Sequence, residues 1–340
     1  MISQATRIAA ITRLGTTLKS EAFQPTLEEW AYRAHSSNNW FTPENVLEAI
    51  SAISNQLLDT ETLNRWTSEY PEAKESKKIG VVMAGNIPAV GFHDALCVLI
   101  SGHQLLAKLS TDDTFLMKSL LSLLIELEPA FASHIHFVER LNDADAYIAT
   151  GSDNTARYFE HYFSKKPNII RRNRVSVGLL TGNESTSDLV ALGKDILTYY
   201  GLGCRNVSKV YVPEGYDFTT FYESIEPQRN YCVHHHKFFN NYEYNRSILL
   251  VNRTEHLDNG FLMLLQSDAL VSPLSVLHYQ TYKSREEVER SLNEYAEKIQ
   301  CVVSNESLSL PTVPFGQAQN PTLTDYADGI DTMSFLSKLN

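Results

Sequence analysis

The chain has 340 residues, 43% of them hydrophobic, with 40 acidic against 29 basic side chains, a net charge of -11 and a pI near 5.5. Such a chain buries a sizeable core in two domains, and its acidity argues against nucleic acid, whose phosphates need a basic face. Cys97, Cys204, Cys232 and Cys301 lie far apart without a CxxC pair, which excludes a disulfide framework or a structural zinc and predicts reduced thiols. No apolar run reaches the roughly 18 to 20 residues that span a bilayer, so a soluble protein is expected.

Residues 1 to 20 carry Arg7, Arg13 and Lys19 but no acid, as organelle transit peptides do. Ile8, Ile11, Leu14 and Leu18 nevertheless recur at helical spacing, and a surface helix is the preferred reading. Thr42, Pro43 and Glu44 start another helix, continued by Val46, Ile50, Ile53 and Leu57. The charged stretch from Ser68 to Lys78 is a linker. After it strand and helix alternate. Ile79 to Ala84 is a buried strand, Ala89 to Ile100 a helix, and Gln104 to Leu109 a second strand. Ser110 to Asp113 form an N-cap cluster for the helix of Leu116, Leu120, Leu123 and Leu127. Strands at 135–139 and 146–150 follow, then a helix through Phe163. This alternation predicts an open parallel sheet wrapped by helices.

In such sheets ligands bind beyond the carboxyl ends of the strands. Three loops meet that description: GNIP at 85–88, KLSTDD at 108–113 and TGSDN at 150–154. Each ends a strand and opens a helix, so its N–H groups can face a phosphate or an oxyanion. Neither GxGxxG nor a Walker phosphate loop is present.

Beyond residue 172, Val175 to Leu180 is a strand, and Leu189, Leu192, Ile196 and Tyr199 form a helix stopped at Gly201. Val207 to Val212 is a β-branched strand closed by Pro213, so Cys204 lies on a short turn. Gly201 and Gly203 leave room at the sulfur, and Arg205 would favour a thiolate. Local features alone leave open that Cys204 is a small core residue. The aromatic and histidine-rich segment Tyr231 to Asn245 is read as a loop lining a pocket or meeting another subunit, and His234, His235 and His236 as no metal site. Ser247 to Asn252 and Leu274 to Tyr279 are expected strands, and Ser284 to Lys298 a solvated helix. The run Pro311 to Leu336 is turn-rich and orders only by docking.

Assembled in this order, GLGCRNVSKVYVP at 201–213, GNIP at 85–88, AKLSTDD at 107–113, TGS at 150–152 and PFG at 314–316 resemble the aldehyde dehydrogenase superfamily, and more closely the LuxC-type acyl-CoA reductases. The similarity runs from about Lys78 to the end. It implies two α/β domains, each with a largely parallel sheet, one Rossmann-like and one catalytic. The implied divisions are a helical region at 1–77, a cofactor domain at 78–172, a catalytic domain at 173–310 and a C-terminal segment at 311–340 that docks back or joins an oligomer contact.

The resemblance also implies a cytoplasmic acyl-CoA reductase that forms an aldehyde with NADPH or NADH through a thioester on Cys204. Asn86 and the Cys204 N–H would stabilise the oxyanion, Lys108 and Ser110 would hold the cofactor ribose, and Thr150, Gly151 and Ser152 would line the cofactor cleft. Acyl-CoA and CoA are the implied ligands, an acyl-protein synthetase a partner, and a homo-oligomer the expected state. The sequence departs from the family where hydrolytic members carry a water-activating glutamate: Ile169 to Gly178 holds no acid, which suits a CoA-dependent reductase. A second family glutamate falls near Ala269, beside Asp268. Thr111 replaces the acid that repels a 2′-phosphate, which favours NADPH. The alternatives are an aldehyde-oxidising NAD(P)-dependent dehydrogenase and, from another class, a catalytically silent acyl-CoA or nucleotide binder or a scaffold protein.

Overall fold

In the computed structural model, which describes residues 2–339, the stripe of Ile8, Ile11, Leu14 and Leu18 is the buried face of α1 (Gln4–Lys19). Ser3 caps this helix by accepting from Thr6 N at 3.2 Å. α2 (Gln24–Ser37), α3 (Pro43–Gln56) and α4 (Thr60–Ser68) follow, and Thr42 and Asp59 cap the last two through Asn45 N and Thr62 N. α1 packs against α3.

The alternation after the linker yields β1 (Lys78–Val82), α5 (Phe92–Ile100), β2 (Gln104–Lys108), α6 (Thr114–Leu127) and β3 (Ile135–Phe137). β4 (Ala146–Thr150), α7 (Asp153–Phe163) and β5 (Asn168–Arg171) complete the set. The five strands are parallel in the order β3-β2-β1-β4-β5. Ile79 pairs with Leu105 on one side and Ala146 on the other, so the order reverses at β1. That reversal creates a crevice at the carboxyl ends of β1 and β4. α5 starts at Phe92 rather than at Ala89, because Ala89 is left-handed at φ 55° and cannot begin a helix.

The chain divides into two compact units, the first ending at Asn173 and resuming at Pro321, the second spanning Arg174–Asn320. The second contains β6 (Val175–Leu179), α8 (Thr186–Leu197), β7 (Val207–Pro213), α9 (Thr219–Ile225), α10 (Arg229–Val233) and α11 (His236–Val251). β8 (Leu257–Asp258), β9 (Met263–Gln266), β10 (Val276–Tyr282), α12 (Arg285–Glu294), β11 (Ile299–Val303) and β12 (Thr312–Val313) finish it. Its sheet runs β12-β11-β6-β7-β10-β9-β8, parallel except where β8 meets β9.

Two expectations fail here. Tyr231 to Asn245 is helical rather than a loop: α10 is followed directly by α11, whose first turn is capped by His235 Nδ1 accepting from Phe238 N at 3.2 Å. Ser247 to Asn252 is the end of α11, not a strand. A short apolar run carries no period that separates strand from helix, and once a helix is nucleated upstream each further residue adds one hydrogen bond. Leu249 is buried while Leu250 and Val251 point to solvent.

From Pro321 the chain belongs to the first unit again and ends in α13 (Thr332–Ser337), packed on α5. Buried polar groups fix it. Arg171 Nη1 and Nη2 donate to Asp94 at 2.5 Å and to Thr332 Oγ1 at 2.7 Å. Trp66 Nε1 donates to Tyr326 OH at 2.8 Å, and Tyr70 OH to Asp331 at 3.0 Å.

Candidate active site

The turn holding Cys204 is built from unusual backbone. After α8 ends at Leu197, Tyr199 (φ 53°), Tyr200 (φ 58°) and Gly201 (φ 76°) are left-handed in succession. The helix therefore stops four residues before the glycine expected to stop it. Two consecutive tyrosines there are strained, and such strain persists only when surroundings hold it. Tyr200 is held by stacking, 4.4 Å from Tyr231 and 4.0 Å from His235 between ring centroids.

Asn206 is the brace. Its Oδ1 accepts from Gly203 N at 2.8 Å, and its Nδ2 donates to the carbonyls of Asp195, Ile196 and Thr198 at 3.1, 3.3 and 2.8 Å. Asn206 N closes the turn by donating to Gly203 O at 3.1 Å. Cys204 thus sits between two points fixed by one buried amide, with its residue half-buried. From below, Ser176 Oγ on β6 donates to Cys204 O at 3.1 Å and lies 3.1 Å from Cys301 Sγ. Arg205, expected to favour the thiolate, spends its Nε on Ala318 O.

The PFG motif is tied to the same turn. Asp195, 1% exposed, accepts from Gly316 N at 2.6 Å and Ala318 N at 3.0 Å. Burial pushes its carboxyl up to about 6 despite those donors and the nearby Arg205. The strap 316–318 is therefore clamped by Asp195 from α8 and by Arg205 from the cysteine turn. Three adjacent carbonyls of the segment containing Asp268 and Ala269 are pinned likewise. Lys209 Nζ donates to Asp268 O at 2.9 Å, His278 Nδ1 lies 3.0 Å from Ala269 O, and Ser208 Oγ donates to Leu270 O at 2.7 Å. Burial pulls the Lys209 ammonium and the His278 imidazole below their ordinary values.

In the first unit, the three loops singled out by sequence gather at the carboxyl end of the sheet. Asn86 is exposed in the loop leaving β1. A Cβ on Gly85 would lie 2.5 Å from Ser110 Oγ, so the first two loops touch and only glycine fits between them. Ser110 Oγ accepts from Asp112 N at 3.3 Å, and Lys108 Nζ donates to Glu139 O at 2.9 Å. Thr150 ends β4, Gly151 N donates to Arg171 O at 3.2 Å, and Ser152 caps α7 by accepting from Thr155 N at 3.3 Å. The α7 N-terminus thus stands at the crevice beside β1, where a helix dipole favours an anion.

Sequence reading missed Asn206, Asp195, Ser176 and Lys209. Only Asn206 left a signal, since Gly203 and Asn206 three apart match a side-chain-closed turn. Among the described residues no group of histidines, cysteines and acids is placed to hold a metal ion, and no helix is long and apolar enough to cross a membrane.

Comparison with solved structures places this fold. The NAD+ complex of an aldehyde dehydrogenase from Bacillus cereus superposes with a TM-score of 0.65 at 15% identity, over 92% of this chain and 76% of that one. A putative aldehyde dehydrogenase from Burkholderia cenocepacia gives 0.63 at 13% identity, over 89% and 74%. An NADP-dependent enzyme from E. coli gives 0.64 at 11%, over 89% and 73%. At such identities the likeness shows the shared fold. No curated protein matches the chain in sequence. The profile of the family acyl-CoA reductase (LuxC) matches residues 19–225, which takes in all three loops and the cysteine turn. The chain belongs to the LuxC acyl-CoA reductase family, and its chemistry is that of an oxidoreductase working at the aldehyde level.

Proposed function

We propose that the protein reduces an acyl-CoA to the aldehyde through a thioester on Cys204, using NADPH or NADH. The observation that carries this reading is the half-buried thiol on a strained turn held by Asn206, Ser176 and Tyr200, in a chain of this family. The Cys204 thiolate adds to the acyl carbonyl, the carbon–sulfur bond to CoA breaks, and CoA leaves as its thiolate. A hydride then reaches the acyl carbon, and breakage of the Cys204 thioester bond releases aldehyde and regenerates the thiolate. Overall, acyl-CoA, reduced cofactor and one proton give aldehyde, oxidised cofactor and CoA.

Both additions put charge on one oxygen. The Asn86 amide and the Cys204 N–H are the proposed donors, each worth about 3 kcal/mol in such roles. A nicotinamide cofactor supplies the hydride when bound. The first unit suits one: its strand order reverses at β1, glycine backbones stand at the strand ends, and a capped helix N-terminus faces the crevice. Lys108 and Ser110 would take the ribose, and Thr150, Gly151 and Ser152 would line the cleft. No acid lies in 169–178, and the one ionic group of β5, Arg171, is buried in an ion pair, so nothing from this stretch activates water against the thioester.

Intact-mass spectrometry with a long-chain acyl-CoA, without reduced cofactor, tests this. A gain of one acyl group, absent in Cys204→Ala and discharged by NADPH or NADH, is expected, with turnover in the variant down at least about a thousandfold. An undiminished Cys204→Ala enzyme sinks the reading, and oxidation of aldehyde to free carboxylate without CoA would make the protein a dehydrogenase instead.

A further inference from the structure

We propose that Asp113 is the positioning residue of the loop that carries Asn86, acting through the backbone N–H of Ala89. The inference rests on the reading that Asn86 is an oxyanion donor. The last ladder bond of the β1 chain is Met83 N to Lys108 O, 3.1 Å, and α5 begins only at Phe92. Asn86 lies between these points on backbone that belongs to neither sheet nor helix. A side chain from another element holds the far end of this loop: Asp113 Oδ2 accepts from Ala89 N at 2.8 Å.

Asp113 has given up its ordinary task to do this. It occupies the N-cap position of α6, where an aspartate normally accepts from the helix's own first-turn N–H groups, yet its side chain makes no such bond. It is turned to the loop. The residue it grips is left-handed at φ 55°, a conformation an alanine resists, so the grip holds backbone that would otherwise relax. The other end of the loop leans on the same element, since a Cβ on Gly85 would lie 3.2 Å from Asp113 Cβ.

The carboxyl is 3% exposed, and its Oδ1 has no hydrogen-bond partner among the described residues. Burial pushes it well above the usual carboxylate range, with Asp112 adding like charge. The Ala89 N–H pulls the other way by favouring the ionised form. An asparagine amide oxygen can accept the same N–H at the same reach.

The test compares Asp113→Asn with Asp113→Ala by two readouts. In single-turnover acyl-enzyme formation, Asp113→Ala is expected to lose about tenfold to a hundredfold in rate with the acyl-CoA KM nearly unchanged, and Asp113→Asn to recover most of it. In an Asn86→Ala background, Asp113→Ala should cost little more, because both act through one group. Additive losses, an Asn variant no better than the Ala variant, or an Asn86→Ala enzyme with full activity would overturn the inference. Deuterium exchange of the peptide covering 85–92 reads the same contact without any chemistry. Protection should fall in Asp113→Ala and persist in Asp113→Asn, and equal protection in both overturns the proposal. Should Asp113→Ala not fold, Asp113→Ser, too short to reach Ala89 N, replaces it in both assays. Wild type that forms no acyl-enzyme removes the Cys204 reading while exchange still decides the role of Asp113.

Discussion

Cys97 and Cys204, two free cysteines, sit in opposite surroundings. Cys97, on α5, has His93 Nδ1 4.0 Å from its sulfur and Asp94 and Arg171 close by, the residue types of a nucleophile, base and acid. Yet its thiol is fully buried. Burial, reinforced by Asp94, pushes it well above the ordinary thiol value, and burial likewise pulls His93 down, whose Nε2 is already engaged by Leu323 O at 3.0 Å. Cys204 has neither a histidine nor an acid in its turn, but its residue is only half-buried, and the turn that carries it follows two left-handed tyrosines and is tied by Asn206. A reactive cysteine needs access and a held backbone before it needs a base, whereas the polar cluster around Cys97 locks the C-terminal segment onto α5 and β5.

The comparison breaks most visibly at Arg171. Arg171→Met leaves Asp94 buried without its cation, and a loss of about 3–5 kcal/mol is expected in chemical denaturation. Below the lowered midpoint, acylation per folded molecule should be unchanged. Cys97→Ala should likewise keep full acylation while losing only about 1 kcal/mol. If either variant lost acyl-enzyme formation while folded, the cluster would be functional and the contrast wrong.

On the other side of the contrast, Asn206→Ala removes four side-chain hydrogen bonds and leaves three carbonyls and the Gly203 N–H to find new partners. A destabilisation of about 2–3 kcal/mol is expected, together with a fall of about a hundredfold in the acylation rate of Cys204. Asn206→Asp keeps the acceptor but not the donor, so it should retain the Gly203 contact and still lose the anchoring of the α8 end. Denaturation and stopped acylation read the two effects separately, and an unaltered acylation rate in both variants would show that the turn does not need its brace.

Much of the scaffold was legible because periodicity reports burial. The stripe of α1, the cap before α3, and the strands β1, β2, β4, β6 and β7 follow from local pattern, and so does the position of Cys204 between helix and strand. The N-cap cluster expected before α6 does not cap it, since Ser110 caps only the short turn at 111–113 and Asp113 turns to Ala89 N. α11 was not legible as a helix at its end, because Ile248, Leu250 and Val251 are apolar yet largely exposed, and an apolar run alone does not state its period. β5 was hidden by its own ending, since Arg171 is charged but paired inside the core. The supporting residues of the site were unreadable for another reason. Asp195 grips backbone 121 and 123 residues away, and Lys209 reaches a carbonyl 59 residues away. Contacts from side chain to distant backbone leave no spacing in the sequence, whereas Asn206 and Gly203 are three apart and did.

The finest test of the contrast is titration at Asp195, which connects the PFG strap to the cysteine turn. Its carboxyl is raised from 3.8 to about 6 by burial, so the folded protein binds a proton there that the unfolded chain releases between those values. The sign follows: this group's contribution to stability is complete below about pH 4 and is lost as pH rises through about 6. The full shift corresponds to no more than about 3 kcal/mol, and at neutral pH none of it remains. Asp195→Asn cannot titrate, so the stability difference, wild type minus variant, should grow in favour of wild type as pH falls from 7 to 4. Subtracting the variant removes the opposing acid sensitivity of exposed, paired carboxylates elsewhere, which both proteins share. A difference that stays flat across that range would mean the two N–H donors of Gly316 and Ala318 keep Asp195 ionised, and the strap would then be held by charge at every working pH.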